Sequence, residues 1–357
     1  MRHTQVHINL AALRHNLQRV RSFAPNSRVM AAIKANAYGH GLERVAMALP
    51  DCDSFGVACI DEGLELRAVG VKQSITLLEG FYHDDELPLV EQYDFELVIH
   101  QAAQLEMLAR HRFRHPVRVW LKIDTGMHRL GVAPEEAAEL WQRLCAHGAL
   151  QPIGQMTHLA CADEPGNLHT QTQLNCFAAS TNGLSGLKAI ANSAAIVAWP
   201  QTHVDWVRPG IMLYGVSPIL GGRAEQHGLK PVMTLRSELI AVRQVAAGEA
   251  VGYGASWRCP KDMPVGVVAV GYGDGYPRHA ISGTPVLLNG REVPLIGRVS
   301  MDMLTVDLSS QPEARIGDPV VLWGEGLPIE VIAEHAGTIP YELLCGITRR
   351  VECVARA

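Results

Sequence analysis

Through the first two thirds of the chain, short β-rich apolar runs recur at regular intervals: VMAAIK from 29, FGVAC from 55, ITLLE from 75, FELVIH from 95, VRVWLKID from 117, PIGQMTHLA from 152, LKAIANS from 187 and DWVRPGIMLYG from 205. Between most of them the apolar positions switch to helical spacing, as in GLERVAMAL, DEGLELRAV, HQAAQLEMLAR, APEEAAELWQRLCA and TQTQLNCFAAS. Eight alternating β/α units predict an α/β fold, a (β/α)8 TIM barrel over residues 1–228. From Leu229 the texture changes. MTLRSELIAVRQV, PVGVVAVGY, TPVLLNGREVPLIG, MLTVDL and DPVVLWGEGLPIEVIAEHAG alternate apolar with polar positions, and Asn289-Gly290 has the form of a hairpin turn. Residues 229–357 therefore read as a mostly antiparallel β domain, joined to the barrel through the short connection HGLKPVM.

Composition narrows the function classes. Of 357 residues, 48% are apolar and 19% charged, enough to bury a core in each of two domains, and no apolar run has the length of a membrane span. The formal net charge of −5, with no basic run beyond ITRR, argues against a nucleic-acid partner. MRHTQVHINLAALRHNL lacks the pattern of a signal peptide, and the eight cysteines are scattered without a Cys-x-x-Cys pair. Both features point to reduced thiols in the cytoplasm.

The stretch AAIKANAYGHG places Lys34 at the end of an apolar strand and before a glycine-bounded loop. By itself that lysine reads equally as an ordinary strand end and as a functional amine. In a barrel, however, the C-terminal strand ends share one rim, where chemistry concentrates. Lys34, Lys122 with Arg129 beyond it, His158, Asn192 and Ser193, and Arg208 with Gly210 all fall there. Such a set suits an anionic ligand. A metal site is the first competitor, but the His-x-His and His/Asp ligand pattern is absent. A phosphate held by Ser193 and the amides around Gly210 and Ile211 fits better, and a lysine facing it suggests a Schiff base to pyridoxal phosphate.

With these residues in place, the sequence resembles the alanine racemases over essentially its whole length. The likeness runs through AAIKANAYGHG, WLKIDTGMHRLG, HLACAD, NSAA, DWVRPGIMLYG, PVMTL, VGYGASW, AVGYGDGYPRHA and GRVSMDMLTVDL in order. It implies a barrel followed by a β domain to which the first residues of the chain can also contribute. It also implies pyridoxal 5′-phosphate carried on Lys34, which would act as one acid/base, with Tyr38, Ser193, Gly210, Ile211 and Tyr341 on the phosphate, His158 beside the ring and Arg208 at the pyridine nitrogen. Arg129 and Met301 would meet the substrate carboxylate, and Lys122 would be carbamylated. Tyr253 would be the second base, entering the site of the other subunit in a head-to-tail homodimer. Nearby cations, His158 and Arg208 among them, would have to assist that phenol. Asp163, Tyr272, Arg278, Arg298 and Ile339, with Tyr341, would form a narrow corridor suited to L- and D-alanine.

The activity implied is interconversion of the two alanine enantiomers, supplying D-alanine for peptidoglycan or serving alanine catabolism. Two other readings stay open on the residues alone. One is a barrel enzyme using the same cofactor for decarboxylation or broader racemisation, which a carboxylate in place of Arg208 would favour. The other is a non-catalytic cofactor carrier, which leaves Tyr253 without a purpose.

Overall fold

The computed structural model describes residues 3–356 and divides into two units. One takes Asn16–Leu213 with Pro218–Leu220; the other takes the chain up to His15, Tyr214–Ser217 and Gly221 onward.

In the first unit eight parallel strands close into a barrel: Arg28–Ala32, Ser54–Val57, Ser74–Leu77, Phe95–Ile99, Val117–Lys122, Leu150–Met156, Leu187–Asn192 and Trp206–Arg208. Closure is made by Arg28 opposite Trp206 and Val29 opposite Val207. Ser54–Val57 and Phe95–Ile99 are buried along their full length, which is why these runs are mostly apolar rather than alternating; their polar members are paired, Ser54 Oγ donating to the Ser74 carbonyl at 3.0 Å and Glu96 Oε2 accepting from Thr76 Oγ1 at 2.8 Å. Met30, Val98, Trp120, Met156, Ala189 and Trp206 meet in one cluster, with Trp120 edge-on to Trp206 at 6.3 Å. The barrel is thus a packed core, and its chemistry is left to the rim. The outer helices bury the stripe their spacing predicts, as Leu140, Trp141 and Leu144 do on Ala137–Ala146.

The second unit is built on an eight-stranded sheet in the order Met263–Val268, Leu304–Asp307, Arg291–Ile296, Pro285–Leu288, Pro319–Trp323, Met233–Val245, Gln5–Asn9, Glu352–Arg356. Met233–Val245 also pairs with Met263–Val268 and so joins the ends of a six-strand run. Every pairing is antiparallel except that of Gln5–Asn9 with Glu352–Arg356. Asn289 and Gly290 turn the Pro285–Leu288/Arg291–Ile296 hairpin with φ of 50° and 77°, the geometry a two-residue type I′ turn requires.

One segment departs from its β reading. After Pro319–Trp323, the residues Ile329–Ala336 form a helix. Ile329, Ile332, Ala333 and Ala336 recur at helical spacing and are buried, Pro328 precedes the first turn, and Gly337 ends it at φ 63°. Among the described residues no helix is long and apolar enough to cross a membrane.

Candidate active site

Lys34 follows the first barrel strand, and the backbone after it turns the wrong way for L-residues. Ala35, Asn36, Ala37 and Tyr38 have φ between 52° and 54°, a left-handed turn of four consecutive non-glycine residues. Such a turn costs about 1–2 kcal/mol per residue and persists only where its surroundings over-determine it. Here they do. Ala35 N–H donates to Glu62 Oε1 at 2.6 Å, Ala37 N–H to the Ile33 carbonyl at 2.8 Å, and Leu42 N–H to Asn36 Oδ1 at 2.8 Å. Buried His40 sets Nδ1 within 3.0 Å of the carbonyls of both Ala37 and Tyr38.

The turn delivers the Tyr38 phenol to the end of the eighth strand. A Cβ built on Gly210 would stand 2.5 Å from Tyr38 Oη, so only glycine fits beneath it. Across from it Asn192 caps the helix Ser193–Ala198 through Oδ1, and buried Ser193 Oγ accepts from Gly210 N at 2.8 Å and Met212 N at 3.4 Å. Two hydroxyls and the amides of one tight turn share a cradle suited to a phosphate.

Around the rim the cations crowd one another. Lys122 closes the fifth strand; burial first, then Arg208, Arg129 and Lys34, draw it down from 10.5 to about 8. His158, two residues beyond the sixth strand, is held well below its usual 6.5 by burial and by Arg208, Lys122, Arg129 and Lys34. It is therefore neutral near pH 7. That corrects its expected part as a cation aiding a tyrosine: four positive neighbours and lost hydration oppose its proton. Burial lowers Arg208 to about 10, still protonated. Its Nη2 donates to the Thr157 and Ile190 carbonyls, whereas Nη1 is buried with no hydrogen-bond partner among the described residues. Lys122, Arg129 and His158 line one cleft, and Asp124 Oδ1 accepts the amides of Gly126, Met127 and His128 to fold the loop that carries Arg129.

One participant escaped the sequence reading. Glu79 Oε1 lies 3.8 Å from Lys34 Nζ, and its Oε2 accepts from Tyr82 Oη at 2.6 Å. The signal was present, because Glu79 follows the third strand onto the same rim, but ITLLE reads as a strand ending in an ordinary polar residue.

Asp163 belongs to the barrel unit, where its carbonyl accepts from Leu220 N at 3.1 Å. Tyr253, Tyr272, Arg278, Arg298, Met301, Ile339 and Tyr341 all belong to the β unit and are exposed there. Tyr253 is 69% exposed, raised on a short turn between Gly252 and Gly254, whose φ values are 75° and 72°. A Cβ on Gly254 would meet Arg298 Nη1 at 3.0 Å, so within this unit the Tyr253 turn lies close to Arg298.

A closed parallel barrel with a lysine amine and a buried arginine on its C-terminal rim, beside a separate antiparallel β unit, defines a class, the (β/α)8-barrel enzymes that carry an appended β domain. Comparison narrows the class. Residues 8–218 match the family model of the alanine racemase N-terminal domain, and residues 232–355 that of the alanine racemase C-terminal domain. The chain is 54% identical over 344 residues to an alanine racemase of Pectobacterium carotovorum, covering 96% of each. It is 52% identical over 353 residues to one of Nitrosococcus oceani, covering 98% of this chain and 99% of that one. A crystal structure of the biosynthetic alanine racemase from Pseudomonas aeruginosa matches with a TM-score of 0.98 at 45% identity over the whole of both chains. The chain belongs to the alanine racemase family.

Proposed function

We propose that the chain interconverts L-alanine and D-alanine with pyridoxal 5′-phosphate as its cofactor, working in the cytoplasm as a homodimer with shared active sites. The observation that carries the reading is the rim of the barrel. Lys34 offers the amine, Tyr38, Ser193, Gly210 and Ile211 offer a phosphate cradle, and Arg208 keeps one buried N–H without a partner among the described residues. These residues fit the cofactor. Bound there, it supplies an electron sink for the pair released when Cα loses its proton.

Arg208 decides how strong that sink is. A guanidinium can only donate, so Arg208 would leave the ring nitrogen it faces unprotonated and would keep the sink a weak one. Return of the proton to Cα is then favoured over its transfer elsewhere. Racemisation also needs a proton carrier on each face of Cα. Lys34 serves one face, and the partner subunit's Tyr253 serves the other. Within the β unit the cation beside that tyrosine's turn is Arg298, which takes the part first expected of His158.

Lys122 supports a carbamate on its own chemistry. At about 8 a substantial fraction of the amine is neutral near physiological pH, and the neutral amine is the form that adds CO2, losing a proton as the N–C bond forms. The resulting anion would offset Arg129 and Arg208. Arg129 and Met301 would then hold the substrate carboxylate, Tyr341 would join the phosphate ligands, and His158 would pack neutral beside the ring. Asp163, Tyr272, Arg278, Arg298 and Ile339 would line the corridor.

The test is to incubate the protein and cofactor with L-alanine in D2O and follow optical rotation together with deuterium at Cα. Loss of rotation with deuterium uptake supports the two-base reading. Deuterium uptake with rotation retained means that one base works alone, and the absence of both signals overturns the proposal.

A further inference from the structure

We propose that Arg350 is a positioning residue that sets the width of the substrate site by clamping together the two loops that carry Tyr272 and Met301. The inference rests on the racemase reading given above and lies wholly within the β unit.

The two loops hold each other through the backbone. Tyr272 N–H donates to the Ser300 carbonyl at 3.0 Å and Gly273 N–H to that of Met301 at 2.9 Å. A Cβ on Gly271 would come within 2.4 Å of the Met301 carbonyl oxygen, so the approach is as close as backbone allows. Arg350 crosses both loops. Its Nη2 donates to Asp302 Oδ1 at 2.6 Å, next to Met301, and its Nε lies 3.5 Å from Asp274 Oδ1. Asp274 is fully buried, and its Oδ2 accepts from Gly271 N at 2.9 Å, at the foot of the turn that presents Tyr272. Thr348 completes the strap, donating from Oγ1 to the Gly273 carbonyl at 2.8 Å and from its amide to the Asp274 carbonyl at 3.2 Å.

The arrangement has a purpose because Tyr272 and Met301 project outward and are exposed. What fixes their separation is the backbone beneath them, and the guanidinium bridges that backbone from behind. An arginine can donate along two directions at once, whereas a lysine offers a single point charge, so the clamp is specific to this side chain. A Cβ on Gly273 would meet Arg350 Nη1 at 2.3 Å, which shows how tightly the guanidinium lies on the turn.

The experiment compares kcat/KM for alanine with that for 2-aminobutyrate, one methylene longer, in the holoenzyme and in Arg350→Gln, Arg350→Lys and Asp302→Asn. Rejection of one methylene is worth about 10- to 200-fold. Arg350→Gln is expected to lower the alanine preference about tenfold, with KM for alanine rising more than kcat falls. Arg350→Lys should recover only part of it, and Asp302→Asn should show a smaller loss in the same direction. A preference unchanged in Arg350→Gln overturns the clamp; if that variant does not fold, an unchanged preference in Asp302→Asn overturns it instead. A wild-type protein that racemises neither amino acid overturns the parent reading and the clamp with it.

Discussion

Acid should loosen the left-handed turn through His40. Its ring is fully buried; burial, with Arg44 adding to it and the Tyr38 and Ala37 carbonyls opposing, draws it from 6.5 to about 4. Between those values the unfolded chain binds a proton here that the folded chain refuses. The contribution is therefore complete above pH 6.5 and drains away as pH falls toward 4. The gap is worth about 3 kcal/mol, a large share of the 5–15 kcal/mol typical of a folded protein. Urea unfolding of the wild type and of His40→Gln at pH 7.5 and 4.5 isolates it, because carboxylates and His158 titrate in both proteins and cancel. The wild type is expected to lose about 2–3 kcal/mol more than the variant on acidification. Amide exchange at Ala37, Gly39 and Gly41 should accelerate over the same interval, since these amides close the turn. Equal losses in the two proteins would refute the reasoning.

Three further outcomes are expected. Tyr253→Phe should retain the absorbance of cofactor joined to Lys34 and lose interconversion at least a hundredfold, the scale of one acid/base group; undiminished turnover in both directions removes Tyr253 from the reaction. Gly210→Ala places a methyl group 2.5 Å from Tyr38 Oη and should weaken cofactor affinity about tenfold, an estimate of the order of one overpacking clash, read by spectroscopic titration; unchanged affinity places the phosphate elsewhere. Protein equilibrated with isotopically labelled bicarbonate should show a carbamate carbon by NMR that disappears in Lys122→Ala, and its absence from active wild-type protein eliminates the modification.

The barrel was legible because its strands are mostly buried and appear as short, predominantly apolar runs recurring between helical segments, several of them with a polar residue at or just past the rim, as at Lys34, Lys122, Asn192 and Arg208. That is how Lys34, Lys122, Ser193 and Arg208 could be gathered from distant parts of the sequence. The left-handed turn was not legible. KANAY contains no glycine, and what holds Ala35–Tyr38 at positive φ is Glu62, Ile33, His40 and Leu42, contacts that exist only after folding. The protonation of His158 was misjudged for a related reason, since a histidine's charge depends on neighbours that sequence distance conceals. In the β unit, Ile329–Ala336 was mistaken for strand because eight residues present only two turns of helical spacing, and Val331 between the buried positions mimics alternation. Glu79 and Arg350 act through partners on other loops, and neither sits in a run that distinguishes it from a surface charge.

Strand Gln5–Asn9 lies between Met233–Val245 and Glu352–Arg356, with Gln5 opposite Glu352 and Asn9 opposite Arg356. During synthesis this imposes an order. The barrel strands have all left the ribosome once Trp206–Arg208 has emerged, whereas the sheet of the β unit must wait for a partner made about 150 residues later. Met233–Val245 can cover one side of Gln5–Asn9 soon after the barrel is complete, but until Glu352–Arg356 is made its other side is an open edge available to any neighbouring nascent chain. A circular permutant that joins the two ends through a crossover linker of about a dozen residues, as parallel neighbours require, would bring the Gln5 and Glu352 strands into existence together, and should refold with less aggregation than the natural order.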